Sequence, residues 1–413
     1  MDKRLLFFFF LAIEVCNVSA QPKRQDIFSD YVFYDKRQRL EKDIRENTIA
    51  GTFQSRLTTD NEHRFESACL AVSQFLIQND VVTEGFNKMF SYYDSLSFDS
   101  KRALLEAVHA VYPSAYEKEV EQILKKEKDP LLFSMCGAYL YRANKSVARS
   151  NLVKLQMIET FPSYDSLDIL VTLEEFLNDK YVPASALPRI RDLFEHHKKL
   201  GSKVIYSFQR WNRDQPGLAI VQLADGSFAR HPDGRLMVFE QLARAASNLP
   251  FFLTNGNTPQ GIFSITGMGV SRNKFIGPTP NIQLVMPFED STQPFVHGIK
   301  ETITDPGEAY LKLLPPSWKN YLPIWESYKA GKIGRTAIIA HGTTIDPEYF
   351  REKPFYPLTP TMGCLCSKEL WNVTSGKLLV SEQYNLFSAF MSTPGSKGYL
   401  FVINLDDQPK RVT

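Results

Sequence analysis

The hydrophobic period of this chain changes once, near Gly201, and that change limits its architecture more than any other feature. From Asn61 to about Leu200 the apolar residues recur at spacings of three and four, as in Phe65, Cys69, Val72 and Phe75, or Leu104, Val108 and Val111. Such spacing lines one face of an α-helix. Beyond Gly201 the spacing falls to two. Val204, Tyr206 and Phe208 share one face of a strand-like segment from Lys203 to Arg210, and Gly217 to Leu223 alternates likewise. The chain therefore reads as α+β, with a helical domain over 61–200 and a β-rich domain over 201–413.

Local punctuation sharpens the helical half. Phe98-Asp99-Ser100 marks a helix start before Lys101, and Pro113 ends that helix; Tyr116 to Lys128 predicts another, and Asp129-Pro130 opens a third. Helices of this length joined by short turns predict stacked antiparallel pairs in a solenoid-like array, although no strict repeat is present. This half is expected to be a scaffold for the second, or a surface for a protein partner. Residues 21–60 are a polar lead-in, with charges alternating among Phe28, Tyr31, Phe33 and Tyr34, read as an extended segment or a first helix.

Residues 1–20 read as an export signal. Lys3 and Arg4 precede an apolar run from Leu5 to Ile13, and Val18-Ser19-Ala20 forms a small-residue cleavage site. The run is too short to span a bilayer, which needs about 20 residues. The expectation is an exported protein without a stable membrane span. With 48 Lys+Arg against 46 Asp+Glu, the net charge of +2 leaves no basic excess for holding nucleic acid. Thirty phenylalanines argue against disorder.

Inside the β-rich half, Asp225-Gly226 and Asp233-Gly234 are turn signals, and Arg235 to Asn248 reads as more helical. A turn at Asn257-Thr258-Pro259 follows. Gly277-Pro278-Thr279-Pro280 predicts a second turn before a strand from Ile282 to Met286, and Arg272 and Asn273 ahead of it offer positive and amide groups to a substrate carboxylate. His297 is a candidate for lining a cleft. Asp305 to Tyr328, with Pro315 and Pro316 inside it, reads as a helical insertion placed to act as a lid.

Two segments carry chemistry. Thr336 to Ala340 predicts a buried strand ending at His341-Gly342. Thr361-Met362-Gly363-Cys364-Leu365-Cys366 predicts a turn after Pro357 and Pro360, where backbone amides are free to face a ligand. A thiol beside an imidazole is the minimal machinery of covalent acyl transfer, since the base takes the proton and the thiolate attacks a carbonyl. Cys69 and Cys136 lie in helical patterns among apolar neighbours and are expected to be buried free thiols. A zinc site from Cys364, Cys366, His341 and His297 has the wrong spacing for a metal signature, so neither metal nor cofactor is expected.

Thr258-Pro259-Gln260-Gly261-Ile262-Phe263-Ser264-Ile265, the later His341-Gly342 and the Thr361-x-Gly363-Cys364 turn together resemble the L,D-transpeptidase catalytic domain, over roughly residues 203–390. Members of that family are bacterial cell-wall enzymes that use a cysteine to cross-link or trim peptidoglycan stem peptides. The resemblance implies a β-rich sandwich or barrel with Cys364 as nucleophile and His341 as general base. Gly342, Thr361 and Gly363 would surround them, and Thr258, Arg272, Asn273 and Cys366 would stand on the substrate side. It implies stem peptides as partners and the bacterial periplasm or cell surface as location. Two positions depart from the pattern: Met362 stands where the family commonly has a second histidine, and Cys366 where it commonly has an arginine. These departures keep open a non-catalytic wall-binding or scaffold protein on the same fold. A cysteine peptidase of ordinary proteins is a third reading without a matching motif.

Overall fold

A computed structural model describes residues 23–182, 187–299 and 301–407, so the expected export signal lies outside the described residues. The chain is mixed helix and strand, with an N-terminal helical region and a C-terminal closed barrel of eight strands. Among the described residues, no helix is long and apolar enough to cross a membrane.

Helix ends follow their capping residues. Ser97 accepts the Ser100 N–H ahead of the helix Phe98–Val111. Asp129 accepts the N–H groups of Leu131 and Leu132, with Pro130 in the first turn of Pro130–Ala143. Each side-chain cap satisfies an orphan donor and is worth about 1 kcal/mol. The apolar stripe then packs inward: Phe65, Cys69, Val72, Leu104, Val108 and Cys136 are all fully buried. Cys69 and Cys136 are free thiols. The lead-in forms a helix at Tyr34–Lys42 and pairs through Phe28 with Lys377.

The strands are β1 (Val204–Arg210), β2 (Gly217–Gln222), β3 (Phe239–Leu242), β4 (Gly261–Gly269), β5 (Asn281–Val285), β6 (Ile339–His341), β7 (Leu365–Ser367), β8 (Glu369–Trp371), β9 (Leu378–Ser381) and β10 (Gly398–Leu405). The barrel closes in the order β1-β10-β4-β5-β6-β7-β3-β2, and β8 pairs with β9 outside it. β1 runs parallel to β10, and β6 parallel to β7; the other neighbours are antiparallel. Strand alternation sorts the wall into two faces. Val204, Tyr206, Phe208, Tyr399, Phe401 and Ile403 point outward, under the helix Ile190–Leu200 and the segments 295–299 and 301–325. Ile205, Phe263, Leu284, Leu400 and Val402 therefore fill the inside, and each such side chain stabilises by about 1.5–3 kcal/mol.

Three expectations from the sequence are corrected. Arg235 to Asn248 is not helical: Phe239–Leu242 is the barrel strand β3, and the spacing of Phe239, Leu242, Ala243 and Ala246 imitates a helix only because the chain after β3 stays buried. The insertion from Asp305 is no lid. Its helix Pro306–Lys312 and the turns that follow are fixed to the barrel wall, with Tyr310 and Trp318 fully buried. The Ile262 N–H donates to Tyr310 Oη, and the buried Glu326 carboxylate accepts both the backbone and side-chain N–H of Gln260. His297 lies against Tyr399 on the β4–β10 wall, where Nε2 contacts Ser264 and the Ile265 carbonyl, rather than on β6 or β7.

Candidate functional site

The parallel pairing of β6 with β7 brings the two chemistry-bearing segments onto neighbouring strands. Ala340 stands opposite Leu365, and His341 opposite Cys366. Ala340 and Leu365 point into the barrel with Ile282 and Leu284. Ile339, His341, Cys364 and Cys366 consequently line the outer face. Cys364 extends β7 by one residue, beside Ile339, whose N–H reaches Sγ at 3.5 Å. His341 is thus one strand over and two residues along from Cys364, roughly 6–7 Å further down the ladder. Among the described residues, no hydrogen bond joins His341 to either thiol.

The Cys364 turn is tightly built. Gly363 has φ +112°, a region that L-residues rarely adopt. Thr361 Oγ1 accepts the Gly363 N–H at 3.1 Å and donates to the Cys364 carbonyl at 2.8 Å. The fully buried Thr258 donates from Oγ1 to the Gly363 carbonyl at 2.9 Å. Cys364 itself reaches the surface in part, but its thiol points back into the protein and donates to the Ala337 carbonyl at 3.7 Å. Burial pushes the thiol up to about 11, against the pull of the Ile339 N–H and of the Arg335 guanidinium.

At the other end of the pair, His341 is almost fully enclosed. Its Nδ1–H donates to the Gly342 carbonyl, which leaves Nε2 as the basic nitrogen. Burial lowers its pKa to about 4, so the ring is neutral at neutral pH, the form a general base needs. Gly342 packs on the Glu369 carboxylate, which also accepts the Thr343 N–H at 2.9 Å. The next residue, Thr344, donates its N–H to the Phe275 carbonyl at 3.0 Å, tying the loop that carries Arg272 and Asn273 to the His-Gly end. Asn273 Oδ1 accepts the Phe275 N–H, so this amide serves its own turn.

Thr258, Thr361, Gly363 and Cys364 therefore gather at one end of the β6–β7 ladder, and His341, Gly342 and the Arg272–Asn273 loop at the other. Cys366 stands opposite His341 at the second end, fully buried, with Thr359 Oγ1 3.5 Å from its sulfur and its thiol pushed up to about 12. Cys364 and Cys366 are unpaired thiols. Among the described residues, no group of three or more His, Cys, Asp or Glu side chains is arranged to hold a metal ion.

Sequence reasoning missed three neighbours of the sulfur. Arg335, only 8% exposed, donates from Nη1 to the Phe251 and Asn257 carbonyls and from Nη2 to the Gly256 carbonyl. Glu289 accepts the N–H groups of Met286 and Ala337. Ala337, with φ +64°, is held in a left-handed conformation unusual for alanine, and this aims its carbonyl at Sγ. The one signal for Arg335 in the sequence is its place between Gly334 and the strand that ends at His341.

The loop that receives Arg335 is itself held by the helical region. Asn255 Nδ2 donates to Glu106 at 2.9 Å, the His109 ring reaches the Ser247 carbonyl at 2.9 Å, and Phe252 packs on Phe176 and Phe251 on Tyr181. Comparison with protein-family models, with curated proteins and with solved structures finds no match to the chain.

Proposed function

We propose that the barrel is an L,D-transpeptidase-like domain performing cysteine-dependent acyl transfer on peptidoglycan stem peptides, in a protein exported to the bacterial periplasm or cell surface. The helices form solenoid-like pairs that scaffold it. The observation that carries this reading is the β6–β7 pairing, which sets a neutral, tautomerically fixed imidazole and a glycine-turn cysteine on adjacent strands of one outer face.

In the reaction, Sγ turns from the Ala337 carbonyl along the outer face toward His341, and His341 Nε2 accepts the Cys364 proton as Sγ attacks the peptide carbonyl carbon. A general base contributes about 10²–10⁴-fold. The tetrahedral oxyanion is met by the Cys364 backbone N–H, because Thr361 Oγ1 already holds that of Gly363. Its collapse breaks the C–N bond, the amine leaves with the proton from His341, and a thioester remains. An acceptor amine or water then attacks the thioester, the C–S bond breaks, and the proton released from the attacking group restores the thiol.

The second reading is a wall-binding or scaffold protein without catalysis. Two observations favour it: Sγ is directed to the Ala337 carbonyl, and the residue opposite His341 is Cys366 rather than Cys364. Incubation with purified muropeptides followed by mass spectrometry separates the two. The enzyme reading expects cross-linked or trimmed products from the wild type and none from Cys364→Ala; equal product patterns from both proteins defeat it.

A further inference from the structure

Arg335 is a buried cation whose contacts are all backbone carbonyls. It holds those of Phe251, Gly256 and Asn257, and among the described residues no carboxylate lies in ion-pair contact with it. It is pressed against the turn that carries the sulfur. A Cβ built on Gly363 would meet Arg335 Nη2 at 2.6 Å, so the guanidinium fills the space that any side chain at 363 would take. The Glu289 and Glu326 carboxylates act on this desolvated charge from beyond ion-pair distance, and a negative charge arising closer relieves more of the cost of burying it.

We propose that Arg335 is the electrostatic partner of the Cys364 sulfur, a positioning residue whose guanidinium, fixed behind the Gly363–Cys364 turn, holds the thiolate that acyl transfer requires. This deepens the reading of Cys364 as nucleophile and rests on it. Two features agree. Arg335 pulls the thiol down toward ionisation while the thiolate form favours the charged guanidinium, so the coupling runs both ways. The Ile339 N–H, 3.5 Å from Sγ, adds a second donor to the same atom. Glu289 opposes them, because its carboxylate raises the Cys364 thiol. The sulfur therefore stands between one fixed cation and one carboxylate, and the cation has the larger influence on it.

The test uses two alkylating reagents of equal chemistry and different charge. In both, the Cys364 proton goes to buffer, the thiolate attacks the CH₂ carbon, an S–C bond forms, and iodide leaves. Iodoacetate carries a carboxylate that a neighbouring cation attracts, whereas iodoacetamide is neutral. The iodoacetate-to-iodoacetamide rate ratio at Cys364, read by peptide mass spectrometry at pH 8.5, is expected to be at least threefold higher in the folded wild type than in urea-unfolded chain. Arg335→Met should bring the ratio down to the unfolded value, and Arg335→Lys should retain most of it. A mere loosening of the turn speeds both reagents together and leaves the ratio alone. A wild-type ratio no higher than that of unfolded chain overturns the proposal, and this measurement needs no variant to fold. An unchanged ratio in a folded Arg335→Met protein, checked by circular dichroism, overturns it too. Failure of the muropeptide experiment touches the acyl-transfer reading and leaves this ratio where it is.

Discussion

Replacing Gly363 by alanine tests the architecture of the sulfur turn most directly. Gly363 adopts φ +112°, and an added Cβ would lie 2.6 Å from Arg335 Nη2 and 2.8 Å from the Gly256 carbonyl. Two contributions add. The backbone strain of an L-residue in a sparsely populated region is about 1–3 kcal/mol. Displacing the guanidinium from the Gly256 carbonyl removes a charge-assisted hydrogen bond, worth about 1.5–3 kcal/mol. Gly363→Ala should therefore lower the unfolding free energy by about 2.5–6 kcal/mol. Gly234→Ala provides the control, since Gly234 has φ +86° with nothing within 4 Å of its added Cβ, and it should lose only the strain contribution. Urea unfolding followed by circular dichroism measures both. Equal losses in the two variants would refute the packing of Arg335 against the turn, because strain alone would then account for Gly363.

Thiol chemistry offers a second measurement. With its thiol near 11, Cys364 is about one part in a thousand ionised at pH 8, against roughly a quarter for an ordinary cysteine. The greater nucleophilicity of a high-pKa thiolate recovers about tenfold, so alkylation by iodoacetamide should be at least about tenfold slower than for free cysteine and should rise with pH toward 11. Cys69, Cys136 and Cys366, all fully buried, should not react without denaturant, and a reaction at any of them as fast as at Cys364 contradicts the burial described. His341 bears on acid stability: its folded pKa near 4 lies below the unfolded value of 6.5, so its contribution is full above pH 6.5 and is lost as pH falls toward 4. The loss of stability between pH 7.5 and 4.5 should be smaller by about 2–3 kcal/mol in His341→Gln than in the wild type, and an equal loss places the ring in water. Thr258→Val removes the donor to the Gly363 carbonyl and should destabilise by about 1–2 kcal/mol in the same urea assay; a neutral result means that water replaces the hydroxyl.

What the sequence discloses depends on how local each determinant is. The helical period from Phe65 to Val111 is local and shows in the structure as buried stripes. So is the alternation of Val204, Tyr206 and Phe208, which all face one cluster. β3 is illegible because its apolar neighbours Ala243, Ala245 and Ala246 are buried by distant elements, and burial on all sides erases the period that distinguishes strand from helix. Closure of the barrel by β1 against β10 joins segments from opposite ends of the domain, and neither carries a mark of the other. At the candidate site, Thr258, Thr361 and Gly363 sit in recognisable turns and meet as a hydrogen-bonded group. Arg335 and Glu289 act through backbone carbonyls and amides, which have no sequence identity, so their residue types gave nothing to read. The left-handed Ala337 hides for a related reason: alanine does not announce a positive φ as glycine does.

The segment from Ser247 to Asn257 is shared property. Helical residues Glu106, His109 and Phe176 grip it from one side, and on the other it lends three peptide oxygens to Arg335. A shift of the Glu106 proton near pH 7 falls on Asn255, the neighbour of the Gly256 whose carbonyl Arg335 holds. The helices thus share with Arg335 the task of fixing this segment, and they share one continuous core with the barrel interior.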